Sequence, residues 1–369
     1  MTRLFVGLEI GRQPPSGGIA RFTQHLIKGV ADIGPADDHS SVLIGLGLWD
    51  DMDLRSPTPG VLAIGCGRNK VLFLGRFVRH VLRRPSDLLI GHVLLIPLAL
   101  LTKVLSRRTK TFLFAYGIEV WDRPSRLRAY LTRHFADYVV AISDFTATRM
   151  AEAYGIRRER FFVLPCAVDV TDDERPVRKA SDHPTVVTVS RLDFDSDQKG
   201  IPCLIRAMPN VLQAAPLAEL VVIGDGEATP SLRALARDLR VEQHVRFLGR
   251  VGEAELRRIY ETADVFALPS VSEGFGIVYL EAWAHRLPVV AARAGAIPEL
   301  ISHGETGLLV DQDSAQVAHA VLTLICDSEL SSRLGSAGFR TVCRRYSQDA
   351  FNRRVRILFE GADAKCAAS

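Results

Sequence analysis

Two carboxylates, Glu273 and Glu281, lie eight residues apart in the segment SEGFGIVYLEAW, residues 272–283. The preceding ADVFALPS is typical of a strand, so Glu273 should follow a strand and Glu281 should lie inside the next helix, about 8 Å along its axis. That separation excludes a close catalytic pair but suits the two ends of one elongated ligand. Carboxylates accept paired hydrogen bonds from sugar hydroxyls, while the glycines and the first helical amides allow a phosphate to approach. The segment predicts a sugar-nucleotide site, with the sugar at Glu273 and the ribose at Glu281. The alternative is a helix-capping charge at Glu273 and a solvated Glu281.

A second candidate segment, SRLDFDSDQKG, places Arg191 directly after a predicted strand and Lys199 after a polar loop. Two cations at the mouth of a strand suit a departing diphosphate. The same loop contains three acids with D-x-D-x-D spacing, at positions 193, 195 and 197. Because the glycine and the downstream glutamate of a calcium loop are missing at their offsets, we interpret these acids as solvated loop residues rather than metal ligands.

Three further features carry weaker signals. Gly17 and Gly18 precede a predicted helix and could form a backbone anion site or a simple turn. His92 lies in the apolar segment LIGHVLL, where a buried structural histidine is the usual interpretation unless the residue ends a strand.

Residues 68–84 carry six Lys and Arg without an acid, and within them a helix over 71–84 has apolar residues at 71, 74, 78, 81 and 82. This helix suits either an anionic membrane surface or the cover of a sheet with a solvated basic face.

Short β-branched runs alternate with helical patterns through both halves of the chain, which predicts an α/β fold of two doubly wound, Rossmann-like domains. We expect a first domain over 1–170, a charged linker over 171–184 and a second domain over 185–345. A C-terminal helix over 346–369 is expected to pack back toward the first domain. Ligands of such sheets bind beyond the carboxyl ends of the strands, so the cleft between two facing domains is the expected site.

Composition limits the class of protein further. The 369 residues are 47% hydrophobic and 24% charged, as in a globular protein with a substantial core. The six cysteines are scattered without zinc-ligand spacing, and no secretory signal or membrane span is visible, so we expect a cytoplasmic protein with reduced thiols. Residues 1–180 contain 26 Lys and Arg against 18 Asp and Glu, whereas residues 181–369 contain 20 against 24. This asymmetry favours an anionic partner for the first half, with ordinary surface variation as the alternative.

Together these segments resemble glycosyltransferase family 4, the retaining enzymes of the GT-B fold. The second half carries the resemblance through EGFGIVYLE, PVVAARAGAIPELISHGETGLLV, the SRL and QKG cations and the GDG loop at 224–226. The first half matches more loosely, through SGG, GH, YGIEVW, ISDFT and LPCAVD. The combination is specific, although each piece alone is not.

The resemblance implies roles for individual residues. Glu273 would contact the donor sugar together with the backbone of Gly274, Phe275, Gly276 and Ile277. Glu281 would hold the ribose, Arg191 and Lys199 would stabilise the leaving diphosphate, and Gly224 would lie in the donor site. Gly17 and Gly18 would lie near the diphosphate and the acceptor, and His92 would contact the sugar at the reaction centre. No metal or other cofactor would be required, because the two cations, Arg191 and Lys199, would stabilise the leaving diphosphate. A donor phosphate oxygen would deprotonate the acceptor hydroxyl on the same face of the sugar.

The sequence thus predicts a retaining hexosyltransferase that uses a UDP- or GDP-sugar. The expected acceptor is a saccharide or a polyprenyl-diphosphate-linked saccharide of a bacterial envelope polysaccharide, with peripheral association at an anionic membrane and no nucleic acid partner. Two alternatives remain open: a sugar-nucleotide epimerase or hydrolase of the same fold, and a non-catalytic sugar-nucleotide-binding protein. His285, Arg286 and Ala296 depart from residues common in the family beside the donor pocket, which leaves the donor sugar and base open.

Overall fold

The computed structural model describes residues 3–8, 17–33, 41–45, 53–55, 61–170, 182–193 and 196–367. The chain forms two compact units, one of Met1–Ala167 with Gln348–Ser369 and the other of Val168–Ser347. Most of the predicted linker, 171–181, lies outside the described residues.

The first unit is built on an eight-stranded sheet. Its strands are β1 (Arg3–Gly7), β2 (Ser41–Gly45), β3 (Asp53–Arg55), β4 (Val61–Gly65), β5 (Asp87–Ile90), β6 (Lys110–Ala115), β7 (Tyr138–Ala141) and β8 (Phe161–Val163). The order is β3-β4-β2-β1-β5-β6-β7-β8, and all neighbours are parallel except the edge pair β3 and β4. The sequence did not predict β3, since its three residues DLR have no apolar alternation.

Helices cover both faces of this sheet. They are α1 (Gly18–Ile33), α2 (Lys70–Val81), α3 (Pro97–Leu105), α4 (Arg126–Phe135), α5 (Asp144–Tyr154) and, from the C-terminus, α14 (Gln348–Ala367). Helices α1 and α14 pack against each other, where Phe22 meets Phe351 edge to face at 5.6 Å. Helices α2 to α5 share the apolar core on the other face.

The second unit contains a six-stranded, entirely parallel sheet. Its strands are β9 (Thr185–Val189), β10 (Glu219–Ile223), β11 (Val245–Gly249), β12 (Val265–Leu268), β13 (Val289–Ala292) and β14 (Leu308–Val310), in the order β11-β10-β9-β12-β13-β14. The helices are α6 (Ser196–Lys199), α7 (Ile201–Ala214), α8 (Thr229–Asp238), α9 (Glu253–Thr262), α10 (Ile277–Ala284), α11 (Ile297–Leu300), α12 (Ser314–Cys326) and α13 (Ser328–Thr341). The two predicted doubly wound α/β units are therefore confirmed.

Local signals determine several helix ends. Ser143 caps α5 by accepting from the Thr146 amide at 3.1 Å, and Gly155 ends the helix in the left-handed conformation at φ +64°. Serine is a preferred residue at a helix N-cap and glycine at the position after the helix C-terminus, so both ends follow from the local sequence. Among the described cysteines, Cys66, Cys166 and Cys203 are buried, and Cys326 and Cys343 are exposed.

The apolar face predicted for the basic helix is only partly right. Of the five predicted positions, Val81 alone is fully buried, and Phe73 and Phe77 form the rest of the face that packs on the sheet. Val71 and Leu82 remain 81% and 60% exposed. The larger phenylalanine rings bury more apolar area, and this advantage selects the face that turns inward. None of the described helices combines the length and the apolar character needed to cross a membrane.

Candidate active site

The strand order of the second unit brings two distant segments together. Strands β9 and β12 are paired neighbours although 75 residues separate the end of β9 from the start of β12 in the chain, because β10 and β11 extend the sheet on one side and β13 and β14 on the other. At such a reversal of strand order the loops leave in opposite directions and open a crevice beyond the carboxyl ends. The segment between β9 and α7 carries Arg191 and, at the end of α6, Lys199, whereas the loop after β12 carries Glu273.

Lys199 and Glu273 meet in this crevice. The Lys199 Nζ donates to Glu273 Oε1 at 2.8 Å and to the Ser272 carbonyl oxygen at 2.9 Å. Both side chains are largely buried, with 17% and 16% exposed. An ammonium has three N–H donors, and the third has no protein acceptor among the described residues. The pair thus has the capacity to bind an additional oxygen ligand.

The segment that carries Lys199 is held in place from two sides. Gly200 has φ +75°, and a Cβ there would lie 2.3 Å from the Pro269 carbonyl oxygen, so the chain passes close to the end of β12. Gln312, which follows β14, donates through Nε2 to the carbonyl oxygens of Asp197 and Pro269, each at 2.9 Å. The Gln198 carbonyl also accepts from the Val271 amide at 2.8 Å. These contacts fix the position of Lys199 relative to β12.

Glu281 lies inside α10 and is buried, with 9% exposed. The Tyr260 hydroxyl of α9 donates to Glu281 Oε2 at 3.2 Å, and the Tyr260 ring stacks on His285 at 5.4 Å. Burying a carboxylate is costly unless it is hydrogen-bonded. The alternative of a solvated Glu281 is therefore wrong, since this carboxylate is held within the unit by a specific donor.

The backbone between the two acids is shaped by Gly276. This residue caps α10 at φ +90°, and a Cβ there would lie 2.5 Å from the Tyr279 ring. Tyr279 donates to the Leu268 carbonyl at 2.6 Å, and burial, followed by the charge of Glu273, raises its pKa well above the ordinary value. Its hydroxyl therefore stays a donor that joins α10 to β12. The first turn of α10 has no side-chain cap at Gly276, and the Glu273 carboxylate pairs with Lys199 instead.

Two other predicted donor residues flank this turn. Phe275 is buried and meets Tyr346 edge to face at 5.8 Å, whereas Gly274 and Ile277 are half-buried beside it. The Glu273 carbonyl accepts from the Ala296 amide at 3.3 Å. The 293–297 loop, one of the places where this chain departs from the family pattern, thus contacts the backbone of the predicted sugar-binding residue.

Arg191 is exposed, with 72% of its side chain accessible to solvent, and it lies 3.2 Å from Asp193. The structure does not join it to the Lys199–Glu273 pair. Its loop rests on the glycines of the GDG segment: a Cβ at Gly224 would lie 1.7 Å from the Ser190 carbonyl oxygen. The close approach of the two backbones therefore explains why residue 224 is a glycine. This contact positions the loop that carries Arg191.

Two acids of the D-x-D-x-D sequence lie within the described residues, and they have different surroundings. Asp193 pairs with Arg191, Asp197 is exposed in α6, and Asp195 lies outside the described residues. Within the described ranges, no group of three or more His, Cys, Asp or Glu residues has the geometry to hold a metal ion.

The remaining predicted residues belong to the first unit, at the equivalent point of its sheet. Strand order reverses between the paired strands β1 and β5. Exposed Gly17 and Gly18 begin α1, which follows β1, and half-buried His92 follows β5. His92 Nδ1 accepts from the Leu94 amide at 3.1 Å, so the proton of the neutral ring is on Nε2. His92 is thus at a strand end rather than a core position.

Sequence inspection missed two residues that support the site. Tyr260 reads as an ordinary buried position of an amphipathic helix, and nothing in its spacing indicates a hydroxyl directed at Glu281. Gln312 lies in a polar turn, where a glutamine carries no distinguishing signal. Both roles depend on contacts between elements far apart in the chain.

Comparison with protein families gives two matches that together span most of the chain. Residues 16–172 match the model described as Glycosyltransferase Family 4, and residues 183–327 match the one described as Glycosyl transferases group 1. The boundary between the matches coincides with the predicted linker.

Two curated relatives show how far the similarity extends. A GDP-mannose-dependent alpha-(1-6)-phosphatidylinositol monomannoside mannosyltransferase of Mycobacterium tuberculosis is 35% identical over 291 residues, 73% of this chain and 74% of the relative. A D-inositol 3-phosphate glycosyltransferase of Corynebacterium efficiens is 39% identical over 176 residues, 46% of this chain and 41% of the relative.

Solved structures share the fold at lower identity. Anabaena HepE in complex with UDP is 22% identical with a TM-score of 0.76, covering 98% of this chain and 100% of HepE. Sucrose-phosphate synthase from Thermosynechococcus elongatus is 20% identical with a TM-score of 0.77, covering 99% and 100%. Since the sequence similarity to the mycobacterial enzyme extends over nearly three quarters of both chains, this protein belongs to glycosyltransferase family 4, with the GT-B fold.

Proposed function

We propose that this glycosyltransferase transfers a mannosyl residue from GDP-mannose, with retention of anomeric configuration and without a metal ion. The observation that carries the proposal is the Lys199–Glu273 pair at the point where the strand order reverses in the second unit. A largely buried cation beside a carboxylate offers one group to a leaving phosphate and one to sugar hydroxyls.

Each residue of the second unit has a distinct role in this proposal. Lys199 donates its third N–H to the β-phosphate, and Arg191 swings from the surface to the same oxygens. Glu273 accepts from the sugar hydroxyls, and Glu281 accepts from the ribose. A phosphate oxygen of the donor takes the proton of the acceptor hydroxyl, which keeps the attack on one face of the sugar. The roles of Gly17, Gly18 and His92 remain predictions.

The choice of GDP-mannose rests on the relatives. Sequence alone left UDP- and GDP-sugars open, and the curated mannosyltransferases that match over 70% or more of this chain are named for GDP-mannose. The HepE complexes contain UDP, but at 22% identity they inform the fold rather than the base. GDP-mannose is therefore the first donor to test.

For the acceptor, we propose a membrane glycolipid with a mannose or inositol headgroup. The names of the relatives favour this class over a soluble sugar, although one relative is named for D-inositol 3-phosphate. The polyprenyl-linked envelope saccharide, the envelope polysaccharide role and cytoplasmic localisation remain predictions from the sequence.

Donor binding is tested by thermal unfolding with GDP, UDP, ADP and their sugar conjugates. Ligand at one hundred times Kd stabilises the native state by about 2.7 kcal/mol, which raises the Tm of a domain of this size by roughly 5–10 °C. We expect this shift with GDP and GDP-mannose and a much smaller one with UDP. Equal shifts with GDP and UDP would contradict the assignment of the base.

Reaction products then separate the proposal from its alternatives. With GDP-mannose and a phosphatidylinositol mannoside, we expect a mannosylated lipid with an α-linkage by NMR, formed equally in the presence of EDTA. Donor consumption without acceptor, or a changed sugar in the recovered donor, would identify a hydrolase or an epimerase. Tight GDP-mannose binding without turnover on any acceptor of the series would favour the non-catalytic alternative.

Replacing Tyr260 with phenylalanine should weaken nucleotide binding specifically through the ribose. Loss of one donor to Glu281 is expected to raise the donor KM about fivefold to tenfold, with kcat within about twofold. The measurement compares inhibition by GDP and by 2′,3′-dideoxy-GDP. Tyr260→Phe and Glu281→Gln should weaken GDP and leave the dideoxy analogue unchanged.

The matched control is Tyr279→Phe, which removes a buried hydroxyl bonded to the Leu268 carbonyl rather than to a carboxylate. It should lower Tm without a preference between the two inhibitors. If Tyr260→Phe weakens both inhibitors equally, Glu281 is not the ribose-binding group.

A further inference from the structure

Four rings form a continuous row in the second unit. Tyr279 of α10 meets Phe266 of β12 edge to face at 5.5 Å, and Phe266 meets Tyr260 of α9 at 6.2 Å. The Tyr260 ring then stacks on His285 at 5.4 Å, with only 16° between the two planes. Three of these rings are buried, whereas His285 is half-buried. His285 is therefore the member of the row nearest to solvent.

The contact with His285 bears on the direction of the Tyr260 hydroxyl. This hydroxyl donates to Glu281 Oε2 at 3.2 Å, and Tyr260 is only 2% exposed. The hydroxyl lies at the far end of the side chain, so a small rotation of the ring displaces it from the carboxylate. Phe266 and His285 both contact the ring and limit that rotation. A hydrogen bond that is shielded from water is also electrostatically stronger.

The end of α10 holds His285 in a fixed place. His285 follows Glu281 by four residues, so the two side chains share one face of the helix end. Arg286 then turns the chain at φ +53°, a conformation that is unfavourable for a residue with a Cβ. Its guanidinium lies 3.7 Å above the Phe339 ring of α13, and a Cβ at Gly335 would lie 2.1 Å from its carbonyl oxygen. Helix α13 thus fixes the chain directly after His285.

We propose that His285 is a positioning residue for donor binding. Its ring holds the Tyr260 hydroxyl on the Glu281 carboxylate, and this carboxylate accepts from the ribose of the nucleotide. The inference rests on the proposed function through the role of Glu281. His285 acts through Tyr260 and does not itself touch the ribose. Since His285 is one of the positions at which this chain departs from the family pattern, the positioning is a feature of this chain.

The test is calorimetric binding of GDP and of 2′,3′-dideoxy-GDP to the full chain. His285→Leu keeps a side chain of similar size without a planar ring, and His285→Phe restores the ring. We expect His285→Leu to raise the Kd of GDP about threefold to fivefold, because a well-oriented aromatic pair is lost, and to leave the Kd of the dideoxy analogue within about twofold. His285→Phe should stay within about twofold of the parent chain for both ligands.

A double substitution tests whether His285 acts through the Tyr260 hydroxyl. Tyr260→Phe combined with His285→Leu should weaken GDP binding no more than Tyr260→Phe alone, within about twofold, because coupled residues are not additive. Losses that multiply would indicate a direct contact of His285 with the nucleotide and overturn the proposal. The matched control is His134→Leu in α4, where the histidine ring lies 4.4 Å from the Tyr130 ring in the first unit. This variant should bind both ligands like the parent chain.

Glu281→Gln separates failure of this inference from failure of the ribose assignment. If Glu281→Gln weakens GDP alone and His285→Leu changes neither ligand, the positioning role is wrong and the role of Glu281 stands. If Glu281→Gln weakens both ligands equally, the ribose assignment fails and the positioning role fails with it. Equal weakening of both ligands by His285→Leu, or the same loss in His285→Phe, would show a packing role and also overturn the proposal.

Discussion

Replacing Lys199 with methionine is expected to reduce kcat about a thousandfold. The ammonium is positioned by Glu273 and the Ser272 carbonyl, with one N–H remaining for the leaving phosphate. Removing a preorganised donor that stabilises developing charge typically lowers turnover by about 10²–10³. Because this stabilisation grows toward the transition state, kcat and kcat/KM should fall together. Steady-state kinetics with GDP-mannose and a lipid acceptor measure both.

The matched control for this experiment is Arg246→Met. Arg246 pairs with Glu219 at 3.1 Å on the outer strands of the same sheet, but both side chains are exposed, 56% and 37%. Exposed pairs contribute about 0–1 kcal/mol, so activity and Tm should hardly change. The companion Glu273→Gln should also lose about a hundredfold or more in kcat. If both Lys199→Met and Glu273→Gln stay within tenfold of the parent, the pair is structural and the proposed site is wrong.

Gly224→Ala is expected to destabilise the second unit by about 3–5 kcal/mol, at the upper end of single substitutions. Gly224 has φ +129°, and the added Cβ would lie 1.7 Å from the Ser190 carbonyl oxygen. Neither backbone can move easily, since the Gly224 amide donates to Gly249 at 2.8 Å and the Ser190 amide donates to Ile223 at 3.0 Å. At roughly 2–4 °C per kcal/mol, the Tm should fall by about 10 °C or more. Urea unfolding measures the free energy directly.

Substitutions at two other glycines distinguish the steric contact of the added Cβ from backbone strain as causes of this loss of stability. Gly249 also has a positive φ, +67°, but a Cβ there meets no atom within 4 Å, so Gly249→Ala should cost about 1–2 kcal/mol from backbone strain alone. Gly252, the N-cap of α9, has an ordinary φ of −73° and open space, so Gly252→Ala should cost only about 0.5–1 kcal/mol, from the weaker cap. Equal effects at Gly224 and Gly249 would contradict the role of the close backbone approach.

Much of the fold and part of the site follow from local sequence patterns. The six strands of the second half follow from the spacing of their apolar side chains. The N-cap at Ser143 and the end of α5 at Gly155 follow from the backbone preferences of serine and glycine, which act over a few residues. The spacing of Glu273 and Glu281 similarly places one acid at a strand end and the other in a helix. These features are predictable because the interactions that cause them are short in range.

Tertiary structure alone decided how those pieces combine. Lys199 and Glu273, 74 residues apart, meet because β9 and β12 are neighbours at a reversal of strand order. The burial of Glu281 depends on Tyr260, and the position of Lys199 depends on Gln312. The inward face of α2 was decided by competition among its apolar residues for the sheet, which placed Val71 and Leu82 in solvent. The spacing of apolar side chains specifies which face of a helix or strand is buried. It does not specify which distant element covers that face, because this is decided only when the whole sheet assembles and buries the apolar faces together.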